Sequence, residues 1–285
     1  MADKILITGG QGAIGSWIAR TLLEEDVPFA LCDRMPQNAV LSRVIDPGML
    51  PDLERVFINL GDPATLGRAL TGRGITRVIH LAAMEEPDSR ARLDRSLFEA
   101  VRGSRDKVAM VAYAAGAGRE SIAEAERCFA DAGVASVGLR FGTVYGVGRE
   151  GVPDGAVTRA IRAAVLSRGF DFPAGGDSCF TYIEDAARAF LEAAASNQRA
   201  ALTLRLPSQT FALEDFIREI ERALPEAAGL IRVSGEPAPV SLEVEDADLS
   251  DFVPEKPFTA TPFPEGIRRT ADLFRSLADQ GRLQE

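Results

Sequence analysis

The sequence predicts an α/β protein: a doubly wound parallel sheet with a smaller C-terminal lobe. Three observations carry that expectation. Short apolar runs alternate with longer amphipathic ones through the first half of the chain. The centres of those runs, such as Ile5-Leu6-Ile7 and Val108-Ala109-Met110-Val111, are apolar without alternation, as strands buried on both faces are. A glycine-rich turn follows the first run and opens the first amphipathic segment, which is how a β-to-α junction reads.

Taken in order, strands are expected at 4–8, 28–32, 55–59, 77–82, 107–113 and 135–141, with helices near 12–24, 62–71, 88–103 and 119–132. In the helix near 88–103, Leu93, Leu97 and Val101 fall on one stripe. After about residue 146 glycine and proline become frequent (Gly146, Gly148, Gly151, Pro153, Gly155). Residues 1–145 are therefore expected to form a first domain and 146–285 mainly a second lobe, with 184–197 packing back on the first. The second part predicts helices near 155–168, 184–195, 213–223 and 264–278 and strands near 170–172 and 202–206. The proline- and acid-rich stretch 225–262 reads as loops with short strands.

Composition narrows the function classes. With 285 residues, 46% of them apolar and 26% charged, the chain can bury a core and is not mainly disordered. Lys plus Arg is 32 and Asp plus Glu is 42, so the net charge is 32 − 42 = −10. No basic run offsets that charge, so neither a nucleic acid nor an anionic membrane is an expected partner. Cys32, Cys128 and Cys179 show no CxxC spacing and read as reduced thiols. A single His excludes a His-rich zinc site, and no metal is expected. No apolar run approaches the ~20 residues a bilayer span needs. Met1-Ala2-Asp3-Lys4 lead straight into a strand, so no signal peptide is expected and the cytoplasm is the expected location.

The strongest local signal is Thr8-Gly9-Gly10-Gln11-Gly12-Ala13-Ile14-Gly15 between a buried strand and a helix. Two frames fit, Gly10-x-Gly12-x-x-Gly15 and Gly9-x-x-Gly12-x-x-Gly15. Glycines allow the sharp turn and let backbone N–H groups approach a pyrophosphate, and the helix N-terminus supplies further donors and a favourable dipole. Gly15 is expected to let the helix pack closely on the strand. Asp33 closes the second strand 18 residues after Gly15. A carboxylate there accepts hydrogen bonds from an adenosine ribose and repels a 2′-phosphate, which favours NAD, while neighbouring Arg34 leaves NADP open. Asp62 reads equally as a helix N-cap or an adenine contact, and the two are compatible. His80, on a buried strand, reads as a packed, hydrogen-bonded side chain and not as a base.

At this point the chain resembles the extended short-chain dehydrogenase/reductase family, in its NAD-dependent epimerase/dehydratase group. The matching pieces are the glycine motif, Gly61-Asp62, His80-Leu81-Ala82-Ala83, Leu139-Arg140-Phe141-Gly142-Thr143-Val144-Tyr145-Gly146, Phe180-Thr181-Tyr182-Ile183-Glu184-Asp185-Ala186-Ala187 and Thr261-Pro262-Phe263-Pro264-Glu265-Gly266-Ile267, in family order. The resemblance implies a Rossmann-type domain binding NAD(P), a substrate lobe, and a nucleotide-sugar or small sugar-derived substrate. It implies cofactor contacts from Gly9, Gly12, Ala13, Ile14, Gly15, Asp33, Asp62, Leu81 and Ala83. It places Gly142 and Thr143 near nicotinamide and substrate. The family often dimerises through helices that correspond to those near 88–103 and 119–132, so a homodimer is an expected arrangement.

The family's chemistry rests on a Tyr-x-x-x-Lys pair with an upstream Ser or Thr. This chain has no such pair: Tyr113 is followed four residues on by Ala117, Tyr145 by Arg149 and Tyr182 by Ala186. The segment that should carry it, Ala114-Ala115-Gly116-Ala117-Gly118-Arg119-Glu120-Ser121-Ile122, is short and rich in Ala and Gly, and the catalytic residues stay unassigned. Arg149 reads either as an anion-binding cation for substrate or as a solvated loop charge. Three functions remain open: an NAD-dependent enzyme with a rebuilt proton-transfer site, an NAD(H)-binding sensor or scaffold without turnover, and a non-redox isomerase or lyase on the same fold.

Overall fold

The computed structural model describes residues 3–82, 87–104, 108–115, 127–131, 133–172, 177–197, 199, 201–206, 209–234 and 259–283. They divide into two compact units, one taking the described residues of Met1–Arg140 and Ala187–Arg205, the other those of Phe141–Ala186, Leu206–Asp246 and Thr259–Glu285.

The first unit is the expected α/β layer structure. Its strands are β1 (Ile5–Thr8), β2 (Phe29–Asp33), β3 (Arg55–Phe57), β4 (Arg77–His80), β5 (Met110–Ala114), β6 (Ala135–Arg140) and β10 (Ala201–Arg205). They form one parallel sheet in the order β10-β6-β5-β4-β1-β2-β3. Between them run helices α1 (Ala13–Glu24), α2 (Leu41–Val44), α3 (Pro63–Gly72), α4 (Pro87–Arg102) and the helical residues 127–131, α5. The strand order reverses between β1 and β4, where Thr8 pairs with His80. That reversal is the point at which open α/β sheets bind ligands, beyond the carboxyl ends of the strands.

The period of two along each strand sorts side chains onto two buried faces. Leu6, Val78 and Val111 join Leu66 and Leu70 of α3 and Leu97 and Val101 of α4 in one cluster. Ile7, Leu31, Ile79 and Ala112, on the opposite face, are equally buried. Each fully buried Leu or Ile contributes about 1.5–3 kcal/mol, so the middle of the sheet outweighs any loop contact. Three strands differ from the expected bounds by two or more residues, β3 and β4 ending early and β5 starting late. At β3, Asn59 turns the chain by accepting the Gly61 N–H on its side chain and the Asp62 N–H on its carbonyl. At β5, Val108 N–H still bonds back to Ser104, so pairing begins at Met110. At β4, Leu81 keeps one bond to Thr8, but the strand ends at His80.

The second unit contains β7 (Thr143–Tyr145), α6 (Ala156–Val165), β8 (Phe170–Phe172), β9 (Asp177–Tyr182), β11 (Gln209–Ala212), α8 (Leu213–Ala223), β12 (Ile231–Val233) and α9 (Phe263–Asp279). The remaining helix, α7 (Ile183–Ala195), has its first four residues in this unit and the rest in the first. One sheet has the order β11-β9-β7 and a parallel pair joins β12 to β8. The core is aromatic: Tyr145, Phe180, Phe216 and Phe263 lie ring against ring, with centroids 4.8–6.4 Å apart. Strands β7, β9 and β11 escaped sequence reading because runs of three to six residues with polar positions carry little periodicity. Of the stretch read as loops with short strands, 235–258 lies outside the described residues. Among the described residues, no helix is long and apolar enough to cross a membrane.

Candidate functional site

The glycine loop closes over the carboxyl end of β1 at the sheet's reversal. Gly9 has φ +68°, a left-handed backbone that a side chain disfavours. A Cβ there would also lie 2.8 Å from the Ala82 nitrogen, so the exit of β4 packs directly against it. At Gly15 the nearest neighbours of a Cβ would be Gly10 Cα, Gly10 O and Gly9 O, each at 2.7 Å, so at this point the helix is pressed onto the loop itself. Gly12 differs from both. It is exposed, has φ −74°, and a Cβ would meet only Gly9 O, at 3.2 Å. The fold itself has little need for glycine at 12, which leaves open space in front of α1. No side chain caps that helix, so Ala13 and Ile14 present first-turn N–H groups without a partner inside the helix.

Asp33 is tied to the loop. Its Oδ2 accepts the Gln11 N–H at 2.9 Å. Burial raises the Asp33 pKa above the ordinary aspartate value, while bonds from the Gln11 backbone and side chain and the Gly10 backbone pull the other way. Arg34 is exposed. Asp62 is the N-cap of α3, accepting from Ala64 N–H at 3.1 Å, Thr65 N–H at 3.3 Å and the Thr65 hydroxyl. Those bonds hold its carboxyl below the usual range. Leu81, half-buried, bonds through its N–H to Thr8 O at 3.0 Å. Ala83 lies outside the described residues.

His80 uses both ring nitrogens: Nδ1 is 2.6 Å from Thr8 Oγ1 and Nε2 is 3.1 Å from Asp94 Oδ1. It is 4% exposed, the packed and bonded His that the sequence predicts. Cys32 is buried beside Asp33, and burial pushes its thiol up to about 12, which leaves it inert.

None of the three tyrosines resembles a poised acid. Tyr113 lies inside β5, its ring on Phe129 and its hydroxyl 3.3 Å from Thr203 Oγ1. Gly138 makes room for it, since a Cβ there would lie 2.7 Å from that hydroxyl. Tyr145 is enclosed by the aromatic core, and burial followed by the Asp185 charge raises its pKa. Tyr182 donates to Glu184 at 2.9 Å; burial followed by Glu184 raises its pKa as well. The spacing Tyr145-x-x-x-Arg149 therefore unites two side chains with separate tasks. Arg149 donates to both Asp154 oxygens at 2.6 Å and to Val144 O at 3.3 Å, so an acidic partner already faces it. Gly142 is fixed by packing, because a Cβ would collide with the Cys179 carbonyl. Thr143 opens β7, paired with Phe180. Residues 116–122, where the catalytic segment was sought, lie outside the described residues.

Two arrangements escaped sequence reasoning. Gln11, a variable position of the glycine motif, is 4% exposed and spends its side chain on the segment after β2. A buried polar residue between glycines was the only available signal. Arg140 and Arg205 sit opposite each other at the carboxyl ends of β6 and β10, where burial and then the Arg205 charge lower the Arg140 pKa. That pairing is invisible until β10 is known to join β6. Among the described residues no cluster of His, Cys, Asp and Glu offers a metal site.

Residues 5–123 match the family model "NAD dependent epimerase/dehydratase family". No curated protein matches the chain. Among solved structures, UDP-glucose 4-epimerase of Thermus thermophilus in complex with NAD is 21% identical with a TM-score of 0.73, covering 95% of this chain and 99% of that one. UDP-N-acetylglucosamine 4-epimerase of Methanobrevibacter ruminantium in complex with UDP-N-acetylmuramic acid is 20% identical with a TM-score of 0.75, covering 97% and 99%. The dTDP-glucose 4,6-dehydratase of Bacillus anthracis in complex with NAD is 14% identical with a TM-score of 0.76, covering 98% of each chain. At these identities the structures establish the shared fold. The family match over 5–123 and that fold over nearly the whole length agree with the motif resemblance: residues 5–123 are similar to the NAD dependent epimerase/dehydratase family, and the whole chain shares the fold of solved epimerases and dehydratases.

Proposed function

We propose that the chain binds NAD and acts as an epimerase/dehydratase-like oxidoreductase on a nucleotide-sugar, sugar-derived or small carbonyl substrate, with an atypical proton-transfer site. The observation that carries this reading is Gly12: an exposed glycine that packing barely requires, at the uncapped start of α1 and at the reversal of the sheet. The residues fit the cofactor. Gly9, Gly12, Ala13, Ile14 and Gly15 would receive the pyrophosphate, Asp33 the adenosine ribose, and Asp62, Leu81 and Ala83 the flanking parts. Asp62 keeps its capping role while doing so. Bound NAD would supply a hydride acceptor. Gly142, Thr143 and Arg149 are the proposed substrate contacts, with Arg149 acting together with Asp154. The epimerase and dehydratase complexes similar in fold, which hold NAD or a nucleotide sugar, support the substrate class. Three scattered cysteines without CxxC spacing suit a reducing compartment, and we propose the cytoplasm.

One observation favours a second reading. The chain lacks Tyr-x-x-x-Lys, and its three tyrosines are committed to packing or to other partners. NAD(H) binding without turnover is therefore the alternative. Titration with NADH and NADPH, followed through Trp17, the only tryptophan and two residues past Gly15, tests binding. Asp33→Ala and Gly12→Val are expected to abolish it. Multiple turnovers with any member of a sugar and carbonyl panel remove the alternative. Binding with none across the panel removes the enzyme reading. Sedimentation measures whether the protein is the proposed homodimer.

A further inference from the structure

Gln11 reaches beyond the glycine loop with its side chain as well as its backbone. Its backbone N–H donates to Asp33 Oδ2 at 2.9 Å, its Nε2 donates to Met35 O at 2.8 Å, and its Oε1 accepts the Gln37 N–H at 2.8 Å. Three polar groups of one buried residue thus hold the five-residue segment 33–37 against the loop. The tie fixes Asp33 and, on either side of it, the backbone that carries exposed Arg34.

This placement bears on which nucleotide fits. A carboxylate at the end of β2 accepts ribose hydroxyls and repels a 2′-phosphate, whereas a nearby Arg accommodates one. To receive a 2′-phosphate, Asp33 must turn away and the 34–37 backbone must let Arg34 swing in. Either movement breaks bonds to Gln11. We propose that Gln11 is a positioning residue for cofactor choice, holding Asp33 and residues 34–37 in the arrangement that accepts NAD and rejects NADP. The inference rests on the dinucleotide reading and adds to it the residue that enforces the preference.

The test compares NADH and NADPH dissociation constants, measured by calorimetry, for wild type, Gln11→Met and Gln37→Pro. Gln11→Met keeps the length of the side chain and the backbone bond to Asp33 but loses both side-chain bonds. Gln37→Pro removes the N–H that Gln11 holds, at an exposed residue, and keeps the comparison available should Gln11→Met fail to fold. Wild type is expected to prefer NADH. Gln11→Met should shrink the NADPH-to-NADH ratio of dissociation constants about fivefold or more, as the loss of about one hydrogen bond's net worth implies, and Gln37→Pro should shift it the same way. A purely structural role would lower the melting temperature and weaken both nucleotides alike, leaving the ratio intact. Wild-type protein that binds neither nucleotide overturns the dinucleotide reading and this inference with it. Normal wild-type preference with an unchanged ratio in the folded variants overturns this inference alone.

Discussion

Asp185 holds Thr261 at two points, its carboxylate accepting the Thr261 N–H at 2.7 Å and the Thr261 hydroxyl at 2.8 Å. The two residues are 76 positions apart, and Asp185 is 2% exposed. The bonds join the first turn of α7 to the chain entering α9. Hydrogen bonds to a buried charge contribute more than neutral ones, so Asp185→Ala is expected to cost about 3 kcal/mol and Thr261→Val about 1–2 kcal/mol. Urea denaturation followed by circular dichroism measures both. A loss below about 0.5 kcal/mol for Asp185→Ala would reduce the pair to an incidental contact.

His80 presents a second buried network. Replacing it with Phe leaves Thr8 Oγ1 and Asp94 without the ring nitrogens they face. The expected cost is about 2–4 kcal/mol, with Thr8→Val costing about 1 kcal/mol. Thermal unfolding checks the order. If His80→Phe were as stable as wild type but lost activity on an identified substrate, His80 would be a participant in the chemistry.

Gly12 and Gly15 separate ligand from fold. An alanine at 15 must displace loop backbone at three points 2.7 Å away, so Gly15→Ala is expected to destabilise the protein by about 1–3 kcal/mol. An alanine at 12 meets one oxygen at 3.2 Å, so Gly12→Ala should melt close to wild type while weakening NADH. Equal loss of stability in both variants would contradict the view that Gly12 is kept open for a ligand.

On the proposed dinucleotide reading, Asp33 sets a pH dependence. Burial raises its pKa, so protons would compete with the ribose hydroxyls proposed to bind it at a higher pH than for an ordinary Asp. NADH affinity should be flat at neutral pH and then fall about tenfold per pH unit below that raised value, as uptake of one proton requires. In the free protein the sign is opposite: the charged form is disfavoured, so stability declines as pH rises through the same value. Calorimetric titration across acidic pH, with Asp33→Asn as the pH-independent control, measures the first effect. An identical profile in Asp33→Asn would assign the dependence to another group.

Much of the fold was legible because strands buried on both faces read as unbroken apolar runs. Helix α8 and strand β8 lie where the pattern put them, at 213–223 and 170–172. Asp62 was legible as a cap because Asp before Pro63 is a local signal. The roles of Gln11, Asp185 and Arg205 were not, since each depends on a partner that only chain folding brings near. Arg149 was read as an anion-binding or a solvated cation; its guanidinium turns to Asp154, while Tyr145 four residues earlier joins the aromatic core.

By itself the sequence determined the alternation of strand and helix, the glycine turn and the acid that closes the second strand. These follow from local periodicity and from backbone freedom, which neighbours in the chain decide. Tertiary structure alone decided that Gly15 rests on the loop, that both nitrogens of His80 are engaged, and that Gln11 binds the segment after β2. Those facts depend on distances between residues far apart in the chain, fixed by sheet order and by the need of each buried polar group to find a partner.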